Sequence, residues 1–213
     1  MIRRLAATTI GGLAGAFLLD RWLGGLSVDE AGRPVRVPIR SRVEVDAPIQ
    51  RVWELVADVE RQPEWMTEMK AVRLLTPGPV GVGSRCEADV RIMGITVSDP
   101  VEVVEFLPPH RYAIRHEGWF KGAGLITLDT TDGGRRTRVE WSETLVPPLL
   151  ANLGSIVEAP ILGRIFQADL ERLRTIVEEE RADAAHDPAI PGEPLELERA
   201  VAPTNGHGAT SAG

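Results

Sequence analysis

The sequence predicts an α+β fold: a seven-stranded, curved antiparallel sheet wrapped around one long C-terminal helix, with two short helices after the first strand. Three observations predict it. From Met69 to Thr144, apolar and polar residues alternate between Pro- and Gly-rich breaks short enough for hairpins. One earlier strand-like run, Val37 to Val45, is separated from that meander by helical spacing. Finally, in the stretch from Pro147 to Arg181, Leu162, Phe166, Leu170, Leu173 and Val177 recur three or four residues apart, with Arg164, Asp169, Glu171, Arg172 and Arg174 between them. One stripe of that helix should face a core and the other water. A sheet of this length with a single helix on one face is expected to curl around it.

The 213 residues suit one domain of about 140 to 150 residues with extensions at both ends. Residues 1–26 form a hydrophobic, anchor-like segment. After the basic start MIRR, Leu5 to Leu19 carry no charge. As a helix these fifteen residues span about 22 Å, short of the roughly 30 Å hydrocarbon core of a bilayer. Continuing to Leu26 reaches the length but takes in Asp20 and Arg21. An uncleaved anchor or membrane-lying helix over residues 5–26, a cleaved signal ending near Ala14-Gly15-Ala16, and a soluble docking helix all remain open. The first makes the protein membrane-associated, on a side the sequence does not specify; the last leaves it cytoplasmic.

Residues 27–36 read as a linker and residues 37–181 as the folded domain. The first strand stops at Asp46-Ala47-Pro48, where Asp46 is placed to cap a helix and Pro48 suits its first turn. Ile49, Val52, Trp53 and Val56 then make a one-sided stripe. A second short helix is expected from Val59 to Met66, broken by Pro63. Strands follow over Met69–Leu75, Ser84–Ile92, Ile95–Phe106, Arg111–Gly118, Ala123–Asp129 and Arg135–Thr144. In the second of these, Cys86, Ala88, Val90 and Ile92 alternate with Arg85, Glu87, Asp89 and Arg91, giving one dry and one wet face. In the long helix, a kink or break is expected at Pro160. In its first half, Leu149, Leu150, Leu153, Ile156, Val157, Ile161 and Leu162 cannot all share one face, so this half should be covered on more than one side or border something apolar. Residues 182–213 are acidic, rich in Pro, Gly and Ala, and without lasting period, the composition of a disordered tail.

The net charge of −7 includes no basic stripe to meet a phosphate backbone, so nucleic acid is not an expected partner. Cys86 stands alone in an alternating strand and reads as a small core residue; no intrachain disulfide is possible. The four histidines are scattered and suggest no metal site, and no cofactor is implied. Nothing in the sequence matches a nucleophile elbow, a phosphate loop or a dinucleotide fingerprint.

The run V-E-V-D-A-P-x-x-x-V-W-x-L-V-A-D-V-E-x-x-P-E-W, from Val43 to Trp65, resembles the opening of the polyketide cyclase/dehydrase and lipid-transport superfamily, the START-related, birch-pollen-allergen-like group. Three later features agree: Gly81-Val82-Gly83-Ser84 opening a strand, Phe106-Leu107-Pro108-Pro109-His110-Arg111-Tyr112 between two strands, and Thr137-Arg138-Val139-Glu140-Trp141 in the last strand. The resemblance spans the whole domain and implies the helix-grip fold, with a deep apolar cavity between sheet and helix. These motifs are caps, turns and core tryptophans, and they imply less about chemistry, because this fold hosts carriers, cyclases and regulators alike.

The inward faces fit such a cavity. Val90, Ile92, Ile114, Ile126, Leu128, Val139 and Trp141 come from strands, and Leu153, Ile156, Val157, Leu162 and Phe166 from the helix. Each is first of all a candidate core residue. Together they would bind a hydrophobic molecule by excluding water, at about 25 cal/mol per Å² of apolar area buried. Trp119 and Phe120, with Gly122 and Gly124, sit at a turn that could form the mouth. Counting by twos from Tyr112 and Ile114 puts His116 on the inner face, the one candidate for proton transfer; the plainer alternative is a histidine hydrogen-bonded at the sheet rim. Glu143, two beyond Trp141, could point inward or be solvated at the strand end. The leading expectation is a carrier or sensor of a lipid, isoprenoid or polyketide-like molecule near a membrane. The alternatives are a cyclase or aromatase that uses cavity shape and one acid/base residue, and a tethered accessory protein that docks a partner.

Overall fold

The computed structural model describes residues 16, 18–22, 38–92, 94–118, 120–146 and 151–186, with side chains for all of these except 92, 151–159 and 185. Seven strands form one sheet: β1 (Ile39–Val45), β2 (Met69–Leu74), β3 (Arg85–Ile92), β4 (Ile95–Leu107), β5 (Arg111–His116), β6 (Lys121–Thr131) and β7 (Arg136–Val146). Their order is β1-β7-β6-β5-β4-β3-β2, every neighbour antiparallel. The meander thus delivers its last strand beside the first, with Val43 opposite Val139. A bulge between Val103 and Glu105 on β4 adds local twist, one device by which a sheet this wide bends. The β6–β7 connection turns through three successive left-handed residues, Asp132, Gly133 and Gly134, the two glycines taking positions costly for a side chain.

Two short helices, α1 (Ile49–Ala57) and α2 (Gln62–Trp65), follow β1, and the long helix α3 runs from Ala151 to His186. The expected architecture is present, with local differences. Asp46 does not cap α1: the helix begins after Pro48, with no side-chain cap bond. The Asp46 side chain instead pairs with Arg181, and its N–H donates to Glu178 Oε1 at 2.8 Å, so the loop is tied to α3. Pro63 begins α2 rather than breaking it; its missing N–H falls where a helix needs no partner. Pro160 lies inside α3, which continues through it unbroken. The helix also runs past Arg181, so residues 182–186 belong to it and not to the tail; residues 187–213 lie outside the described residues.

Of the hydrophobic segment 1–26, Ala16 and residues 18–22 are described and helical; the remainder, with the linker 27–36, lies outside the described residues. Among the described residues no helix is long and apolar enough to cross a membrane.

The long helix is fastened to edge strand β1 through backbone groups. The Gln167 side chain accepts from Arg42 N–H at 3.3 Å and donates to Arg42 C=O at 3.0 Å, occupying ladder positions that an edge strand otherwise leaves open. From that point on, α3 is embedded. Leu170 and Leu173 are fully buried and Val177 nearly so, packed with Val45, Val52, Val56, Leu128 and Val139. Trp53 on α1 meets Phe106, ring centroids 5.3 Å apart, and Trp65 on α2 meets Trp141 edge-on at 6.0 Å. Both tryptophans pin the short helices to the sheet.

Truncating Leu173 to Ala in this closed part of the core should cost about 2–5 kcal/mol in urea unfolding, whereas Gln167→Ala should cost about 1 kcal/mol. A Leu173→Ala loss no larger than that of Gln167→Ala would show that this half is not closely packed.

Candidate functional site

The grip is filled at one end only. Between Leu162 and Asp169 of α3 and the facing strands lies a cavity of about 140 Å³. Its wall is mostly apolar: Met66, Met69, Val90, Val97, Ile114, Phe120, Ile126, Leu145 and Ile165 contribute, and Trp141 stacks on Phe166 at 4.4 Å. Of the residues expected to line such a space, Val90, Ile114, Ile126, Trp141, Leu162, Phe166 and His116 face this cavity. Leu128 and Val139 do not; both are fully buried in the solid core around Leu170 and Leu173. The inner face of a strand runs the whole length of the sheet, but the cavity occupies only part of it. Ile92, Leu153 and Val157 lie in described elements, but their side chains are outside the described residues, as is Trp119 altogether.

One polar cluster interrupts the apolar wall. His116, near the end of β5, is held between two carboxylates: Nδ1 is 2.6 Å from Asp99 Oδ2 and Nε2 is 3.0 Å from Glu143 Oε1. Glu143 is not solvated at its strand end. It is only 3% exposed, and its other oxygen accepts from Trp141 Nε1 at 3.0 Å. Burial alone would push the His116 pKa down, but hydrogen bonds to Asp99 and Glu143 outweigh it and raise the pKa to about 9. His116 is thus a protonated imidazole at neutral pH, with both N–H groups donated. Its role as rim histidine and its place on the inner face turn out to be one arrangement.

Two glycines make room for the cluster. A Cβ on Gly124, opposite Glu143 in the β6–β7 ladder, would lie 2.4 Å from Glu143 Oε2. On Gly118 it would lie 2.2 Å from Asp99 Oδ1. That Asp99 oxygen is buried without a hydrogen-bond donor among the described residues. Across the cavity, Asp169 on α3 is 2% exposed and takes both Thr67 donors on Oδ1, N–H and hydroxyl each at 2.9 Å. Burial raises its pKa, partly opposed by those bonds. Tyr112, also on the wall, is pushed by burial up to about 12.

Asp99 and Asp169 escaped the sequence reading, although both carried a signal. Counting back by twos from Val103 and Val101 places Asp99 on the inner face of β4. Asp169 lies three residues after Phe166 and four before Leu173, which is on the apolar stripe, not between its members. A charged residue at a buried register position is the mark that distinguishes them.

The sequence pattern of the family described as polyketide cyclase/dehydrase and lipid transport matches residues 36–178. The chain belongs to this family. No curated protein matches it. Among solved structures it is similar to the Zhui aromatase/cyclase of a Streptomyces species, at 21% identity and TM-score 0.57, over 70% of this chain and 97% of that one. It is also similar to a Thermus thermophilus protein, at 21% identity and TM-score 0.54 over 70% and 99% of the two chains. A Deinococcus radiodurans protein aligns at 21% identity and TM-score 0.53, over 68% and 99%. At these identities the likenesses establish the helix-grip fold.

Because the His116 pKa lies above its ordinary value of about 6.5, the cluster stabilises the fold fully below that pH, and the contribution fades as pH rises through about 9. The difference corresponds to roughly 3 kcal/mol. An NMR titration of the imidazole should show a midpoint near 9, with thermal stability falling over the same window; a midpoint below about 7 would contradict the clamp. Gly124→Ala should displace Glu143 and move that midpoint down towards 6.5, checked by the same titration.

Proposed function

We propose that this protein binds a hydrophobic small molecule, such as a lipid, isoprenoid or polyketide-like compound, in the cavity between α3 and the sheet. The observation that carries the reading is the half-filled grip: a space walled by aliphatic, thioether and aromatic side chains in a domain whose other half is packed solid. Water in such a space has few partners, so an apolar guest displaces it favourably. The relatedness to cyclases and lipid-transport proteins supports this class of ligand. Native mass spectrometry on protein purified from its host should find a copurified apolar molecule. Absence of any ligand, together with no binding of neutral or anionic apolar probes, would remove the reading.

A cyclase is the second reading, favoured by the Asp99–His116–Glu143 cluster at the cavity wall. Confinement of a flexible chain can supply much of a rate enhancement, with one group moving a proton. The carrier reading is preferred because both His116 nitrogens are already engaged. Unchanged turnover of a candidate chain by His116→Gln would exclude the histidine from any reaction.

Proximity to a membrane belongs to this proposal through residues 5–26 alone. The full-length chain is then expected in the membrane fraction, and complete recovery in the soluble fraction would remove the tether.

A further inference from the structure

The cavity carries acid in two places, and only one of them is balanced. Asp99 and Glu143 close on His116, so the imidazolium and both carboxylates are engaged with one another. On the other side, Asp169 of α3 and Glu68, just before β2, face the same space, and neither Lys nor Arg is among its described lining residues. Asp169 is almost fully buried, yet both Thr67 donors fall on its Oδ1, which leaves Oδ2 without a donor among the described residues. This oxygen differs from the one on Asp99 behind Gly118. The Asp99 atom is sealed from water; Oδ2 of Asp169 is not among the sealed atoms, and its residue lines the cavity.

Burial raises the Asp169 pKa and the neighbouring charge of Glu68 adds to the rise, against the Thr67 bonds and the positive charge of Arg172. Arg172 acts from outside the cavity: it is exposed, and its guanidinium donates to the C=O of Glu64. A carboxylate is thus held out of water beside a like charge, with one oxygen turned to the space a guest would fill.

Three kinds of polar head meet this wall differently. A carboxylate or phosphate adds like charge and gives up its hydration with no donor to replace it. A hydroxyl brings one neutral donor. An ammonium brings a donor and the opposite charge, and such charge-assisted bonds are roughly twice as strong as neutral ones. Its own desolvation is costly, but the cost of burying Asp169 is already met by folding, so binding adds only the guest's share. The cavity is partly open, so this wall sets the chemistry of the head and not the length of the body.

Resting on the hydrophobic-guest reading above, we propose that the cavity selects guests with an apolar body and a basic amine head, with Asp169 binding the ammonium and Glu68 adding to the attraction, and discriminates against the same body carrying a carboxylate.

Calorimetric titration of the full-length protein at neutral pH with n-octylamine, n-octanol and n-octanoate changes the head on one body. Octylamine should bind about tenfold tighter than octanol, and octanoate more weakly than either. In Asp169→Asn the amide oxygen keeps the Thr67 donors and the amide NH₂ replaces Oδ2. The octylamine preference should then fall below about threefold, with octanol affinity unchanged as the control for folding. General attraction of a cation to a chain of net charge −7 would survive the loss of one charge, so the variant separates it from binding at Asp169. Should the variant fail to hold octanol, the carboxyl carbon resonance of Asp169 in the unaltered protein reads the same contact, and it should move with octylamine and not with octanol. A preference below about threefold in the unaltered protein, a preference kept above that in Asp169→Asn, octanoate binding as tightly as octanol, or a carboxyl resonance unmoved by octylamine overturns the selectivity while the hydrophobic-guest reading stands. If octanol and octylamine both fail to bind the unaltered protein, that reading falls with it.

Discussion

The fastening of α3 to edge strand β1 governs the rest of the molecule. Gln167 bonds both the N–H and C=O of Arg42, while Glu178 takes the N–H of Asp46, four residues further along. These contacts fix the height of the helix relative to the sheet. Below Gln167, the stripe of Leu170, Leu173 and Val177 meets α1, and Val52, Trp53 and Val56 complete a close-packed core. Above it, Leu162, Ile165 and Phe166 face the sheet without α1 opposite them, and space remains. The cavity is therefore a consequence of where the helix is attached and how short α1 is, rather than of unusually small wall residues.

A solid half and an open half have different electrostatic requirements. In the solid half the buried side chains are almost all apolar. Beside the cavity, Asp99, His116 and Glu143 lie together with little exposure, an arrangement whose desolvation cost is large unless each charge is compensated. Compensation is nearly complete: His116 donates to both carboxylates and Trp141 to the second oxygen of Glu143. Gly118 and Gly124 leave room for the two acids, so backbone positions on β6 and just beyond β5 help determine the pKa of a side chain on β5. The remainder, one Asp99 oxygen, has no donor among the described residues, and a native fold tolerates few such atoms.

The fold was legible because its signals are periodic. The alternation in β3, the spacing on α3 from Leu162 to Val177 and the turn residues between strands each follow from local geometry. The site was only half legible. His116 and Trp141 emerged from counting by twos, since inner-face positions repeat along a strand. Leu128 and Val139 satisfied the same count and belong to the solid core, because periodicity reports which face a residue takes but not how far along the face the packing closes. That depends on the position of α3 against β1, fixed by bonds between residues more than a hundred positions apart. Asp46 was misjudged for a related reason: a local capping role was outweighed by an ion pair with Arg181 at the far end of the chain.

The same geometry bears on what acid/base chemistry the cluster can perform. A proton acceptor acting on a guest needs a free lone pair, and protonated His116 has none; as a donor it has no N–H uncommitted. Glu143 is held by His116 on one oxygen and Trp141 on the other, and Gly124 backs it closely. Asp99 keeps one oxygen without a donor among the described residues, but that oxygen is buried in the space left by Gly118. Freeing His116 for acid/base chemistry on a guest would require breaking its hydrogen bond to Asp99 or to Glu143, so a single hydrogen bond separates the closed cluster from one with a free imidazole nitrogen.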